Sequence, residues 1–276
     1  MKLYIQLLLM FIASQILGIY TGAYILEDAM ANEYVRSMMT IESGPTAIPY
    51  FVVSVLIGAG IFIILHKLHI SLLFRLLEIG VISTTTSVFA YAFVKPLLVG
   101  TLESMAAAIA IAVVFAVLKQ VFHGLKNLAA ITSSAGAGAV FGFTFGFSNA
   151  LVFLLILAVY DYISVYKTRH MITMANEIVK RDMAFTISAE KKEEGYKKKS
   201  RLDLGTGDIS LPIMAEVAAY AISPMLSLFV FCGAVAGTLV VLYAAWRHKC
   251  VLPALPPIAA GIFLFSLIAI ALGFVD

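Results

Sequence analysis

Long apolar segments constrain the fold of this chain more than any other feature of its sequence. Of its 276 residues, 62% are hydrophobic and 13% are charged, and the mean hydropathy is +1.00, which is far too apolar for a soluble domain. Because about 20 apolar residues cross the roughly 30 Å core of a bilayer as a helix, we predict an all-α, polytopic membrane protein with nine transmembrane helices. The predicted spans are 3–26, 49–66, 70–94, 98–118, 127–147, 149–168, 205–222, 225–246 and 253–275.

The basic residues indicate how these spans are oriented. If the N-terminus is cytoplasmic, 17 of the 19 lysines and arginines fall on the inner side, as the positive-inside rule requires. The apolar run after Lys2 is longer than the roughly 7 to 15 residues of a signal-peptide core, so the first segment is predicted to be a retained helix. We therefore expect a multi-pass protein of the cell membrane with a cytoplasmic N-terminus and an external C-terminus.

Two aspartates stand inside apolar segments, where a carboxylate costs on the order of several kcal/mol. Asp161 lies six residues before Lys167, which puts it about 9 Å inside the inner end of the sixth span. Asp208 lies five residues after Asp203, about 7.5 Å from the same edge in the seventh span. Since sequential antiparallel helices bring both residues to one level, we predict that the two carboxylates face each other.

Such a pair supports two kinds of function. Two carboxylates that share a site hold one proton between them, so one is a base for an attacking water and the other an acid for a peptide carbonyl. Intramembrane carboxylates also carry protons or cations in channels and transporters. On spacing alone, hydrolysis and transport remain equally open.

Three short motifs favour hydrolysis. They are Tyr160-Asp161 in the sixth span, Gly205-Thr206-Gly207-Asp208 at the start of the seventh, and Pro253-Ala254-Leu255 at the start of the ninth. In this order, and each at the inner end of its span, they resemble the presenilin and signal peptide peptidase family of GxGD-type intramembrane aspartyl proteases. The resemblance covers the whole chain and is strongest to the archaeal presenilin-like proteins.

The resemblance implies a presenilin-like fold, with Asp161 and Asp208 as the catalytic pair and a transmembrane protein or peptide as substrate. It also implies that Tyr160, Gly205, Thr206, Gly207, Pro253, Ala254 and Leu255 line the substrate-binding site. An enzyme like signal peptide peptidase, with inverted topology, stays open as an alternative. The linker 169–203 lacks a long apolar insert, and Thr206 occupies the variable position of GxGD, so neither self-cleavage nor substrate preference carries over from the family.

No cofactor or metal is predicted, because none of the five histidines has the spacing of a zinc site. The bilayer and a membrane-anchored substrate are the expected partners, nucleic acid is not, and a homo-oligomer stays open. By chain order we divide the protein into residues 1–168 with Asp161, 169–204 as an amphipathic segment and mobile linker, and 205–276 with Asp208 and the Pro-Ala-Leu motif.

Three further patterns concern the scaffold. Gly138, Gly142 and Gly146 recur every four residues, as do Gly233 and Gly237, which predicts close helix contacts. Met171, Met174, Ile178 and Met183 have near-helical spacing and predict an interfacial helix. Arg75 and Glu78 are expected to pair on one helix face, whereas Glu216 is expected to pack or to line a water path.

Overall fold

The structure of the chain is a computed structural model. It describes residues 2–39, 48–49, 52–54, 57–58, 60–61, 71–167, 178–179, 181–191, 200–248 and 252–274. The helices are α1 (Lys2–Ala31), α2 (Glu33–Met39), α3 (Ser71–Val94), α4 (Thr101–Val121), α5 (Lys126–Phe145), α6 (Phe147–Tyr166), α7 (Thr206–Tyr220), α8 (Pro224–His248) and α9 (Leu255–Ala271). Two strands, β1 (Thr186–Lys191) and β2 (Ser200–Gly205), and two short 3-10 helices, Lys95–Leu97 and His123–Leu125, complete the described elements.

Eight of the predicted spans coincide with a helix, and the second, 49–66, lies largely outside the described residues. Six of the described helices, α1, α3 to α6 and α8, are long and apolar enough to cross a membrane. With 15 and 17 residues, α7 and α9 are about 22 and 25 Å long, which is less than the roughly 30 Å of a bilayer core. Both helices therefore depend on neighbouring protein at their ends.

The break between α5 and α6 lies at Gly146, two residues before the predicted position, which begins at Ser148. Gly146 has φ 65° and ψ 158°, a conformation that glycine adopts far more readily than other residues. It therefore makes the turn between the helices and does not belong to the packing row predicted from Gly138 and Gly142.

The centre of the bundle is α7, which is buried along most of its length and packs against α1, α5, α6 and α8. Its contact with α5 depends on two glycines. A Cβ on Gly138 would lie 2.5 Å from the Ile213 side chain, and a Cβ on Gly142 would lie 2.6 Å from the Met214 carbonyl oxygen. These residues confirm the predicted close helix contact, because any side chain there would push α7 away.

Glycines also bring other helices together. A Cβ on Gly136 would collide with the Thr85 carbonyl of α3, so α5 is held closely on a second side. In α8, a Cβ on Gly233 would lie 2.5 Å from the Gly261 carbonyl oxygen, and one on Gly237 would lie 2.5 Å from the Ile258 Cα. The predicted Gly233 and Gly237 row is therefore the contact between α8 and α9.

A two-stranded antiparallel hairpin departs from the all-α expectation. β1 pairs with β2 in a register that runs from Thr186 opposite Gly205 to Lys191 opposite Ser200. Within the linker predicted to be mobile, 186–191 and 200–204 are thus paired strands, while 192–199 lies outside the described residues. The physical reason is burial, since Ile187, Ala189 and Leu204 join the same core as α7, and a strand with one buried face is stable against a bundle.

The predicted interfacial helix is not supported at its last member. Met183 lies in a turn and is buried against Phe74, next to Ile178, so its apolar side chain contacts protein. Met171 and Met174 lie outside the described residues.

Replacing Gly138 with valine should destabilise the bundle, because the new side chain would overlap Ile213. Overpacking of a filled contact typically costs about 1–3 kcal/mol, so we expect a lower midpoint of thermal unfolding in detergent. Gly80→Val is the matched control, since Gly80 is also inside a helix and a Cβ there meets nothing within 4 Å. Equal midpoints for the two variants would show that the α5–α7 contact is not tight.

Candidate active site

Asp161 is buried in the penultimate turn of α6, with 6% of its surface exposed. The Leu255 backbone N–H donates a hydrogen bond to its Oδ2 at 3.2 Å, and the Ala254 backbone amide also hydrogen-bonds its carboxylate. Both donors stand at the start of α9. The first N–H groups of a helix have no partner within the helix, and the helix dipole favours negative charge there. The start of α9 is therefore a binding site for the Asp161 carboxylate.

Prolines determine where α9 starts. Pro253 precedes the first helical residue, Leu255, and Pro256 follows it in the first turn, where a proline is tolerated because its missing N–H would be unpaired anyway. Ala254 at the N-cap has no side chain to cap the helix. Asp161 provides the acceptor in its place, so α6 and α9 are joined at this point.

Asp208 is the third residue of α7 and is half-buried. It receives a backbone hydrogen bond from Gly205, and it lies within electrostatic range of Asp161. Since α6 and α7 are in contact, the structure brings together the two carboxylates from neighbouring helices. Neither belongs to an ion pair among the described residues.

The other residues predicted for the site surround these two positions. Tyr160 is half-buried beside Asp161, Gly207 is exposed beside Asp208, and Pro253, Ala254 and Leu255 are buried at the start of α9. At Gly205 a Cβ would lie 3.2 Å from Asp208 Oδ2, so a side chain there would crowd the carboxylate. Thr206 donates its N–H to the Phe185 carbonyl at 2.9 Å, which ties the start of α7 to the residue before β1.

Sequence reasoning missed the residues that hold the hairpin. Asn127, at the start of α5, receives the Ser188 N–H on Oδ1 at 2.8 Å and donates Nδ2 to the Ser188 carbonyl at 2.8 Å. The amide side chain thus pairs with both backbone groups of Ser188, as a neighbouring strand would. Because β2 leads directly into α7, this pairing fixes the hairpin that precedes Asp208.

Charged groups reinforce the same junction. Lys126 Nζ donates to Ser188 Oγ at 3.0 Å and lies 3.4 Å from Asp182 Oδ1. Arg201 Nε donates to both oxygens of Asp203, at 2.8 and 2.9 Å. The only signal for this network in the sequence is the alternation of polar and apolar residues from Thr186 to Lys191, which resembles a strand but is too short to predict its partner.

Two acids outside the pair have surroundings that the sequence did not reveal. The predicted pairing of Arg75 with Glu78 is wrong, since Glu78 is buried and binds Lys119 instead. Lys119 comes from a different helix, which local spacing could not identify. Glu216 is 0% exposed, and its carboxylate oxygens have no hydrogen-bond partner among the described residues.

Comparison with known proteins gives one family and one fold. The sequence model of the family described as signal-peptide peptidase, presenilin aspartyl protease matches residues 9–274. Two solved structures, each of a presenilin family intramembrane aspartate protease, in the C222 and P2 space groups, have TM-scores of 0.65 and 21% identity and align over 97% of this chain and 97% of theirs. At this identity the likeness shows a common fold. Among curated proteins, none matches the chain significantly.

Removing the Asn127 side chain should loosen the hairpin. Each lost hydrogen bond is worth about 1 kcal/mol, so in Asn127→Ala we expect amide hydrogen exchange at residues 187–189 to become roughly tenfold faster or more. Asn127→Asp keeps an acceptor for the Ser188 N–H but loses the donor to its carbonyl, so it should lie between wild type and Asn127→Ala. An exchange rate in Asn127→Ala equal to that of wild type would contradict the proposed pairing.

Proposed function

The chain belongs to the signal-peptide peptidase, presenilin aspartyl protease family, and from this premise we propose that Asp161 and Asp208 are its two catalytic carboxylates. Membership makes the protein an intramembrane aspartic-type endopeptidase, a membrane-embedded hydrolase. The channel or transporter that spacing alone had left open is thereby set aside.

The observation that carries this assignment is the way in which the two carboxylates are held. Asp161 is bound by the first N–H groups of α9, and Asp208 by the backbone of Gly205 at the start of its own helix. Backbone donors orient a carboxylate without supplying a countercharge. Each group therefore remains able to exchange a proton, which a buried ion pair with lysine or arginine would prevent by keeping it ionised.

The chemistry then needs one proton on the pair. The ionised carboxylate accepts a proton from a water molecule, and the oxygen of that water forms a bond to the carbonyl carbon of the substrate. The protonated carboxylate donates its proton to the carbonyl oxygen, which gives a gem-diol. Collapse of the gem-diol breaks the C–N bond: the protonated carboxylate gives its proton to the leaving nitrogen, and one gem-diol hydroxyl gives its proton to the other carboxylate as the product carboxyl forms. The pair is then again singly protonated.

The substrate we propose is a transmembrane segment of a membrane protein. In a helix the carbonyl groups are hydrogen-bonded and shielded, so the segment must unwind locally before attack. The half-buried Tyr160 and Thr206, the glycines 205 and 207, and the Pro-Ala-Leu residues 253–255 surround the carboxylates and are proposed to contact the unwound segment. Residues 252–254, just before α9, are non-helical, which supports this role, because an extended peptide binds along backbone that is not part of a regular helix.

The proposed topology has nine spans in the cell membrane, with the N-terminus in the cytoplasm and the C-terminus outside. Six long apolar helices, the two shorter helices α7 and α9, and the predicted span 49–66 make up this number. In this arrangement residues 1–168 supply Asp161 and residues 205–276 supply Asp208, so each part provides half of the site. The inverted orientation is the alternative, and protease accessibility of the segment around Lys191 in sealed vesicles distinguishes the two.

Replacing either aspartate with asparagine should abolish cleavage of a transmembrane peptide by the purified protein. Asparagine keeps the size of the side chain but cannot exchange a proton, so we expect Asp161→Asn and Asp208→Asn each to lose at least about a hundredfold in rate. Asp28→Asn is the matched control, because Asp28 lies elsewhere in the bundle, where it accepts a hydrogen bond from Tyr91 at 2.5 Å. The Asp28→Asn protein should cleave the peptide at the normal rate. Near-normal cleavage by either active-site variant would refute the assignment.

Cleavage should also depend on pH in a bell-shaped manner. The rate should rise as the pair loses its first proton and fall as it loses the second, since only the singly protonated pair contains both a base and an acid. The profile should be measured in one detergent at constant ionic strength, with folding monitored at each pH. A constant rate from acid to alkaline conditions would count against shared-proton chemistry.

A further inference from the structure

A polar cavity of about 160 Å³ lies between α3, α4 and residues 181–183, and neither aspartate lines it. Its walls come from Arg75 and Glu78 of α3, Lys119 and Gln120 of α4, and Arg181. In the proposed orientation α3 starts and α4 ends at the cytoplasmic surface. The cavity therefore lies at the level of the lipid headgroups of that leaflet.

The floor of the cavity is a fixed network of buried charges. Glu78 binds Lys119 and accepts hydrogen bonds from Gln120 Nε2 at 2.9 Å and from the Ala184 N–H at 2.6 Å. Lys119 Nζ also donates to the Asp182 carbonyl at 2.9 Å. Glu78 and Lys119 are 2% and 4% exposed. Because these buried groups satisfy one another, the floor is rigid and polar without a ligand.

The rim is cationic. Arg75 is exposed, and the Arg181 guanidinium stacks over the Phe74 ring at 4.4 Å from its centroid. Stacking fixes the guanidinium at the rim, and because arginine carries several N–H donors, it can bind phosphate oxygens in addition to other partners. Three cationic and two acidic side chains line the cavity, and one of the acids, Asp182, is also paired with Lys126 outside it. The described residues that line the cavity thus carry a net positive charge.

Apolar side chains flank the rim on the same helix turns. Leu72 and Leu76 of α3 lie on either side of Arg75, and Leu118 and Val121 of α4 lie near Lys119, all of them exposed. Such a surface accepts acyl chains. A cationic cavity at headgroup level with an apolar flank suits an anionic lipid better than a free phosphate ion.

We propose that this cavity binds the phosphate-bearing headgroup of an anionic phospholipid, with the acyl chains against α3 and α4. The segment beneath the headgroup, residues 181–185, leads into β1, and the Phe185 carbonyl accepts the Thr206 N–H at the start of α7. A bound lipid would therefore brace the segment that supports Asp208. The choice of leaflet rests on the proposed orientation, but binding itself does not depend on the proposed cleavage.

Native mass spectrometry of the purified full chain with phosphatidylglycerol, against phosphatidylcholine, tests the proposal without any substrate. Arg75→Gln/Arg181→Gln removes two charges from the rim. Lys167→Gln/Arg247→Gln is the matched control, since both residues are exposed at the same predicted surface outside the cavity. At roughly 1 kcal/mol per basic residue, the rim variant should retain phosphatidylglycerol at least about tenfold less well than wild type, and the control should retain it normally.

The same experiment gives three results against the proposal. An equal loss in both double variants would mean diffuse attraction to the basic surface, and no loss in the rim variant would mean that the cavity is not the site. Displacement of the lipid by millimolar inorganic phosphate would show a free anion site. If the rim variant fails to fold by circular dichroism, Arg75→Gln alone replaces it, because the exposed Arg75 is not part of the buried network, and a several-fold loss is then expected.

Discussion

The close contact between α5 and α7 is the interaction on which the rest of the structure depends. α7 is shorter than the roughly 30 Å of a bilayer core and is surrounded by other helices, so contacts with protein set its depth. Gly138 and Gly142 of α5 let α7 approach, and Asn127 at the start of α5 binds the hairpin that leads into α7. One helix thereby determines both the position of α7 and the point at which it begins, and hence the level of Asp208.

Asp161, the other carboxylate of the candidate site, is held by backbone N–H groups and not by close helix packing. Asp161 lies in an apolar helix, where an unpaired carboxylate is costly, and the backbone N–H groups at the start of α9 offset this cost. The prolines around Leu255 fix the start of α9, so the N–H groups of Ala254 and Leu255 have no carbonyl partner within the helix. The same feature that stabilises Asp161 leaves irregular backbone beside it, so stabilisation of the acid and the proposed binding of an extended peptide would have one structural origin.

The sequence predicted most of the membrane-crossing segments, but not the residues that pair between distant parts of the chain. Apolar length located eight helices, and the cost of burying charge identified Asp161 and Asp208, because both depend on the bilayer and not on particular neighbours. The hairpin was missed, since its strands are stabilised by Asn127, about 60 residues away in the chain. Glu78 was paired with the wrong residue for the same reason, because its true partner, Lys119, belongs to another helix.

The proposed catalysis requires above all that Asp161 and Asp208 share one site, and thiol crosslinking tests this most directly. In a chain with Cys232 and Cys250 replaced by alanine, Asp161→Cys/Asp208→Cys should be joined rapidly by a short thiol-specific crosslinker, whereas Asp161→Cys/Asp28→Cys should not. A protease site placed within 192–199 would reveal the link, because only crosslinked halves stay together after cutting. Failure of the 161–208 pair to link in a folded protein, in detergent and in lipid, would contradict the account.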